Sequence, residues 1–458
     1  MIQEKNPLGT EPVFKLFFKL AIPSVLAQLV NLLYNLVDRV FIGHIEEVGD
    51  IALTGVGVCF PIIIIISAFS SLCGMGGAPK AAIKMGEGNI EEANRILGNC
   101  TMLTIITSII LTIIVQIFKE PLLYAFAASD NTITYALDYI GIYSWGTIFV
   151  MISLGLNAFI TTQGFSKVSM SNVIIGAVTN IILDPIFMFG FNLGVKGAAI
   201  ATVISQAVSA CFVVSFLLSK KTKLKLTLKS LKLDIKIILS VVSLGLAPFI
   251  MQSTESILNI CFNTSLFKYG GDVAVGTMTI LASLMQFAMI PIQGFAQGAQ
   301  PIISYNYGAK KPERIKKAFI ILFIISISFS TLFWIAAMLA PNVLIGIFTD
   351  KAELLQFAIP SLRIYMAVIC LFGIQLACQQ TFVSLGNAPI SLFLALLRKV
   401  ILLIPLIYIV PMFMENKCNA VFLAEPIADF IAVSVTGIMF LVIFKKSMNK
   451  IKSNIEEC

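Results

Sequence analysis

Apolar residues fill this chain in runs of eighteen or more, separated by short stretches where charge, glycine and proline concentrate. A run of that length is what a helix needs to cross the hydrocarbon of a bilayer. Twelve can be drawn, near 14–43, 51–78, 96–118, 134–162, 168–190, 197–218, 236–267, 273–304, 318–340, 357–384, 390–411 and 420–444. Backbone groups in lipid must find their partners within the segment, so each run reads as a helix. The first is long and carries Asn31, Asn35 and Asp38, which reads as a span and not as a cleavable signal.

The pattern then repeats itself. "GAPKAAIKMGEGNIEE" (77–92) lies over "AQPIISYNYGAKKPER" (299–314) at an offset of 222 residues. Gly76, Pro79, Gly86 and Glu91 meet Gly298, Pro301, Gly308 and Glu313, and "GDIAL" at 49 meets "GDVAV" at 271. Phe126, Tyr143 and Gly164 meet Phe348, Tyr365 and Gly386. Each half holds six spans, an even number, so both halves start and finish on the same side and the repeat is parallel. The fold class predicted is an all-α polytopic membrane protein: twelve transmembrane helices in two six-helix lobes, related by a pseudo-two-fold axis along the membrane normal. The lobes are expected at 1–222 and 236–458, joined by a linker at 223–235. Duplicated lobes suit alternating access, which an intramembrane enzyme has no need of.

Composition sharpens this. Of 458 residues 58% are hydrophobic and 12% charged, about half the charge of a soluble chain. The net charge of +8 raises the question of nucleic acid, but its placement answers it. Twenty-three of the thirty-two basic residues fall in the N-terminus, the even-numbered loops and the C-terminus. The odd-numbered loops hold five: Lys119, Lys196, Lys268, Lys351 and Lys417. By the positive-inside rule both termini are cytoplasmic, and the basic stretch "SKKTKLKLTLKSLKLDIK" (219–236) is expected to lie on anionic lipid headgroups, with no nucleic-acid role. Nine scattered cysteines without a CxxC pair, and His44 as the one histidine, argue against a metal centre or a disulfide framework. No HExxH or GxSxG motif appears, so no enzyme activity is expected.

Acidic side chains within spans stand out against this background. Asp184, in "NIILDPIFMFG" (180–190), costs about 2.5 to 3.5 kcal/mol in mid-membrane on insertion scales. Intramembrane carboxylates mark ion or proton paths. Pro185 opens the helix beside it, and Asn180 lies four residues earlier on the same face. Asp38 occupies the first span, while Asn157 and Thr202 add neutral oxygens from the fourth and sixth. Two carboxylates with amide and hydroxyl oxygens suit a hard monovalent cation or a proton relay. The second half differs: Leu402 and Leu406 stand where Asn180 and Asp184 would repeat, and its acids are Glu255, Glu425 and Asp429, with Arg398 placed to neutralise one. Coupling is therefore expected in the N-terminal lobe, and Glu425 and Asp429 are candidates only for a C-lobe acidic site. Gln28, Tyr34, Asn35, Glu255, Gln286, Gln375 and Gln379 are candidates to line a substrate cleft suited to bulky, partly apolar, often cationic ligands.

The chain resembles the multidrug and toxic compound extrusion (MATE) family, nearest its bacterial and archaeal DinF/MepA-like branch, over essentially its whole length. The residues that carry the resemblance are "AIPSVLAQLVNLLYNLVDRVFIG", "NIILDPIFMFGFNLGVKGAAIATVISQ" and "GFAQGAQPIISYNYGAKK". It implies a multi-pass exchanger of a prokaryotic cytoplasmic membrane, working as a monomer, that expels drugs and other xenobiotics against inward Na⁺ or H⁺ and needs no cofactor. The family's N-lobe cation site maps onto Asp38, Asn180, Asp184 and Thr202, with Asn157 beside it. Some relatives carry a further carboxylate in the tenth span, where "LFGIQLACQQTF" has none, although Glu255 matches the seventh-span acid of the NorM-like branch. The alternative within the superfamily is a flippase for a lipid-linked oligosaccharide or peptidoglycan precursor; twelve spans and an acidic N-lobe count against it.

Overall fold

The structure, a computed structural model, describes residues 6–45, 48–126, 128–349 and 352–456; Lys351 of the outer-loop series lies outside them. Among the described residues, ten helices are long and apolar enough to cross a membrane. They are Val13–Gly43, Gly49–Gly86, Ile90–Ala125, Ile133–Thr162, Ser166–Gly190, Gly194–Leu218, Ile235–Gly308, Pro312–Leu339, Ala388–Met412 and Lys417–Ile451. Ile235–Gly308 is two spans, divided at Gly271, where φ is 60° and the helical path breaks. Leu354–Tyr365 and Ile369–Ser384 form one further span bent by 47°. The total is the twelve that the apolar runs predict, and they are called spans 1 to 12 below.

The outward faces explain why lipid is the solvent. On span 3, Ile106, Ile109, Ile110, Ile113, Ile114 and Ile117 are all exposed, a stripe at helical spacing. In water such a surface would drive association, whereas in a bilayer it is the solvated side.

The corners of the two halves are the same backbone device. Span 2 closes when Asn89 N–H bonds the Lys84 carbonyl (2.9 Å) and Gly88 N–H bonds that of Met85 (3.2 Å), with Gly88 at φ 80°. This is a Schellman ending. Span 8 closes identically 222 residues later, Lys311 N–H on Asn306 (2.9 Å) and Lys310 N–H on Tyr307 (3.2 Å), with Lys310 at φ 53°. The ends of spans 4 and 10 match as well: Gly164 and Gly386 take φ 92° and 72°, and the residues after them bond back to Ile160 and Phe382. Asn89 then caps span 3, its side chain accepting from Glu92 N–H at 3.0 Å.

The chain packs as two compact units, Ile22–Gln252 and the residues up to Ala21 together with those from Ser253. Their limits fall inside spans 1 and 7, whereas the sequence halves are 1–222 and 236–458. Glycines account for the difference. Gly245 has its Cα side against the backbone of Leu72, and Gly76 faces Val241 and Gly245, so the start of span 7 lies directly on span 2. In the other unit Gly298 leaves room for the backbone of Ala21, and Leu8, Leu16, Phe17 and Leu20 join one core with Ala299, Ile302 and Ile315.

The basic linker is tied to the first unit by polar contacts. The Oε1 of Gln163, a fully buried residue, accepts three bonds, from Thr222 Oγ1 (2.8 Å), Lys223 N–H (2.7 Å) and Leu224 N–H (2.8 Å). Asn94 accepts from Lys225 N–H, Asn99 from Asp234 N–H, and Arg95 pairs with Asp234 at 2.6 Å.

Candidate functional site

In the first unit, span 5 carries Asn180 and Asp184 one turn apart, both fully buried. Pro185 has no N–H, so the Ile181 carbonyl loses its helical partner. The helix then widens into a π turn, Ile186–Gly190, closed by Phe191 N–H on the Ile186 carbonyl at 2.9 Å. Such turns recur at functional sites because they displace side chains from the regular helical row. Gly197 of span 6 holds this one in place: a Cβ there would stand 2.6 Å from the Phe187 backbone.

Four of the five expected coupling residues come together here. Asn180 Nδ2 donates to Asp184 Oδ1 at 3.1 Å and to Thr202 Oγ1 at 3.4 Å. Asp38, buried on span 1, brings its carboxylate against that of Asp184. Arg39 lies within electrostatic reach of Asp38, while its guanidinium stacks 4.4 Å from the ring centre of Phe60. Two unit charges at 4 Å repel by about 4 kcal/mol at an effective dielectric of 20, so the pair demands a positive charge between them. Asn180 Oδ1, Asp38 Oδ1 and Asp184 Oδ2 are buried acceptors without a hydrogen-bond donor. Asn157 points its amide at the Ser169 carbonyl (3.4 Å), and its own Oδ1 is a further buried acceptor without a donor.

Tyr139 and Tyr143 of span 4 complete the surroundings and were not singled out from the sequence. Both are buried, their rings stacked at 5.9 Å. Tyr139 and Tyr34 both lie in the neighbourhood of Thr202. A signal did exist, since Tyr143 is one of the residues the repeat pairs, with Tyr365. Tyr365 lies in the electrostatic neighbourhood of Glu425, Asp429 and Glu255 in the second unit.

That second cluster is an ion-pair network. Span 11 contains its own π turn, Leu397–Leu403, which presents Arg398 and Lys399 side by side. Arg398 Nε bonds Asp429 at 2.6 Å and its Nη2 bonds Glu425 at 2.9 Å, with Phe372 4.4 Å beneath the guanidinium. Lys399 pairs with Glu255. Arg398 thus bonds both span-12 acids, where its sequence position placed it to neutralise one, and the C-lobe acids are bound to bases of their own unit.

The remaining cleft candidates divide between the units. Gln28, Tyr34 and Asn35 belong to the first, with Asn35 Nδ2 bonded to the Asn31 carbonyl at 2.7 Å. Gln286, Gln375 and Gln379 belong to the second, where Gln286 is exposed while Gln375 and Gln379 are buried and bonded to each other at 3.4 Å.

A family model described as MatE matches residues 23–186 and 248–409. Multidrug export protein MepA of Staphylococcus haemolyticus (strain JCSC1435) is 23% identical over 424 residues, covering 92% of this chain and 93% of that protein. The protein of the same description from Staphylococcus aureus (strain N315) is 24% identical over 398 residues, 87% of each. Among solved structures, a multidrug resistance MATE family transporter of the MOP superfamily in an outward-facing conformation superposes with a TM-score of 0.90 at 22% identity, over 98% of this chain and 99% of that one, a likeness of fold.

Proposed function

This chain belongs to the MatE family, and from that premise we propose that it exports drugs and similar toxic compounds in exchange for an inward monovalent cation, Na⁺ or H⁺, bound at Asp38, Asn180, Asp184 and Thr202. One observation carries the reading: two buried carboxylates meet, with Asp38 Oδ1, Asp184 Oδ2 and the neighbouring Asn180 Oδ1 all lacking donors. A coupling ion supplies the missing charge when bound. Asp38 and Asp184 hold it, Asn180 orients Asp184 through its amide and offers Oδ1, and Thr202 fixes the amide from the other side.

Exchange follows from the cost of the bare pair. With the ion absent the carboxylates repel, and with it bound they can be buried together, so only the loaded or the drug-bound protein crosses between access states. The named relatives, both export proteins, support the cargo class, and the basic residues concentrated in even-numbered loops support cytoplasmic termini. Efflux from proteoliposomes under an imposed Na⁺ gradient or pH gradient, one at a time, is the test. One of the two should drive concentrative export; export indifferent to both would reject the coupled mechanism.

A further inference from the structure

The repeat leaves one ion pair incomplete. In the first unit Asp234, immediately before span 7, pairs with Arg95 of span 3 at 2.6 Å and accepts from Lys236 N–H at 2.9 Å. At the offset of 222 residues Arg95 corresponds to Lys317 of span 9, and Asp234 to Pro12, immediately before span 1. The base is kept and the acid is not. Among the described residues Lys317 has no carboxylate in ion-pair contact. Arg314, three residues earlier, spends Nε on Asn306 Oδ1 (3.0 Å) and Nη2 on the carbonyls of Leu8 (3.1 Å) and Glu11 (2.7 Å), so its charge meets neutral dipoles. The two acids nearby already have partners, Glu11 in Lys19 at 2.9 Å and Glu313 in Lys316 at 3.7 Å. Across residues 6–19 and 310–317 seven basic side chains stand against those two acids.

A cavity lies where the missing acid would stand. Pro12, Val13 and Phe14 at the start of span 1, with Arg314, Lys317 and Ile320 of span 9, line a volume of about 440 Å³, and Glu313 stands at its edge. Past the two bases the walls turn apolar. Phe14, Ile320 and Ile324 are 66%, 51% and 57% exposed, and Phe18 meets Phe14 edge to face at 5.0 Å. Ile320 and Ile324 follow Lys317 by about one and two turns on the same face of span 9. In a bilayer that lane is covered by acyl chains, with the bases at the depth of the phosphates. A soluble anion would use the bases and leave the lane unused.

We infer that this cavity binds one anionic phospholipid, whose phosphate takes at Lys317 and Arg314 the place that Asp234 takes at Arg95 in the first unit. Its acyl chains lie along Phe14, Ile320 and Ile324. A headgroup with one net negative charge, such as phosphatidylglycerol, answers the surplus of bases. A zwitterionic headgroup brings its own ammonium and leaves the surplus standing. Because Pro12 to Phe14 begin span 1 and Lys317 belongs to span 9, the lipid joins these two spans within their unit. Arg314 extends the tie to the N-terminal residues through the carbonyls it already holds. The site does not depend on which ion or drug the protein moves.

Native mass spectrometry of the purified full-length protein in detergent, with phosphatidylglycerol, phosphatidylcholine or inorganic phosphate added, tests this. The wild type should bind phosphatidylglycerol more tightly than phosphatidylcholine, and its thermal midpoint should rise with the former alone. Lys317→Gln should weaken phosphatidylglycerol by about fivefold, the effect of one basic residue at an anionic surface, and leave phosphatidylcholine unchanged. Lys15→Gln, which removes an exposed lysine of the same region that does not line the cavity, should change neither. Pro12→Asp supplies the acid that the first unit has, so it should cancel the preference for phosphatidylglycerol and raise the midpoint of the lipid-free protein. Lys317 is exposed, so Lys317→Gln decides the matter alone if Pro12→Asp does not fold. Equal losses in Lys317→Gln and Lys15→Gln would mean general surface attraction, and no loss in Lys317→Gln would remove the site. A preference kept in a folded Pro12→Asp would break the analogy with Asp234. Inorganic phosphate that stabilises as well as the lipid, with the same dependence on Lys317, would make this a site for a free anion. Each of these results overturns the inference.

Discussion

Asp184 and Asn180 were legible in the sequence because polar side chains in an apolar helix have no cheap structural reason to be there. Asp38 and Thr202 followed from the same logic, and the structure brings all four together. Tyr139 and Tyr143 escaped because an aromatic residue in a span looks the same whether it faces lipid or an ion. Lys399 and Glu255 are separated by 144 positions, and only the π turn of span 11 sets the lysine towards span 7. Removing one charge of the N-lobe pair has a definite sign. Asp184→Asn relieves a repulsion of about 4 kcal/mol at most, so the thermal midpoint in detergent should stay level or rise. Gradient-driven efflux should nevertheless fall by about tenfold or more, since an amide cannot replace the lost charge. Normal, gradient-dependent efflux by this variant would remove Asp184 from the coupling site.

At the level of elements, the apolar runs located every span, while their ends were set by signals of a different kind. The predicted second and eighth spans stop near 78 and 304, but the helices continue to Gly86 and Gly308, the first through a stretch with Lys80 and Lys84 and the second through Tyr305, Asn306 and Tyr307. Left-handed corners stop them. Position 88 has glycine and position 310 has lysine, at φ 80° and 53°. A non-glycine residue there costs about 1 to 2 kcal/mol, which gives paired substitutions of opposite sign. Gly88→Ala, into a position with open space around it, should lower stability by about 1 kcal/mol through backbone strain alone. Lys310→Gly should raise it by somewhat less, because glycine adds freedom to the unfolded chain. Thermal unfolding of both variants in one detergent is the measurement, and the same sign for the two would show that the matched corners are not equivalent in energy.

The whole molecule adds the membrane potential. A potential supplies about 2.3 kcal/mol per charge per 100 mV. Exchange of one inward cation for a neutral drug uses all of it, whereas exchange for a monocation moves no net charge. Collapsing the potential with K⁺ and valinomycin, at fixed pH and Na⁺, should therefore weaken export of a neutral drug more than that of a matched monocation. Equal sensitivity would reject one-for-one exchange. The sequence showed two halves, but it did not show that packing divides them at residues 22 and 253, because close approaches at Gly245 and Gly298 leave no mark in hydropathy. That division has a consequence for biosynthesis. Residues 8–21 leave the ribosome long before Ala296 to Leu322, with which they share one core. About 275 residues must be made in between, roughly 14 to 55 s at 5 to 20 residues per second. For that interval Leu16, Phe17 and Leu20 lack their partners from Ala296 to Leu322, and whatever shelters them during insertion, lipid or an insertase, takes part in making the protein.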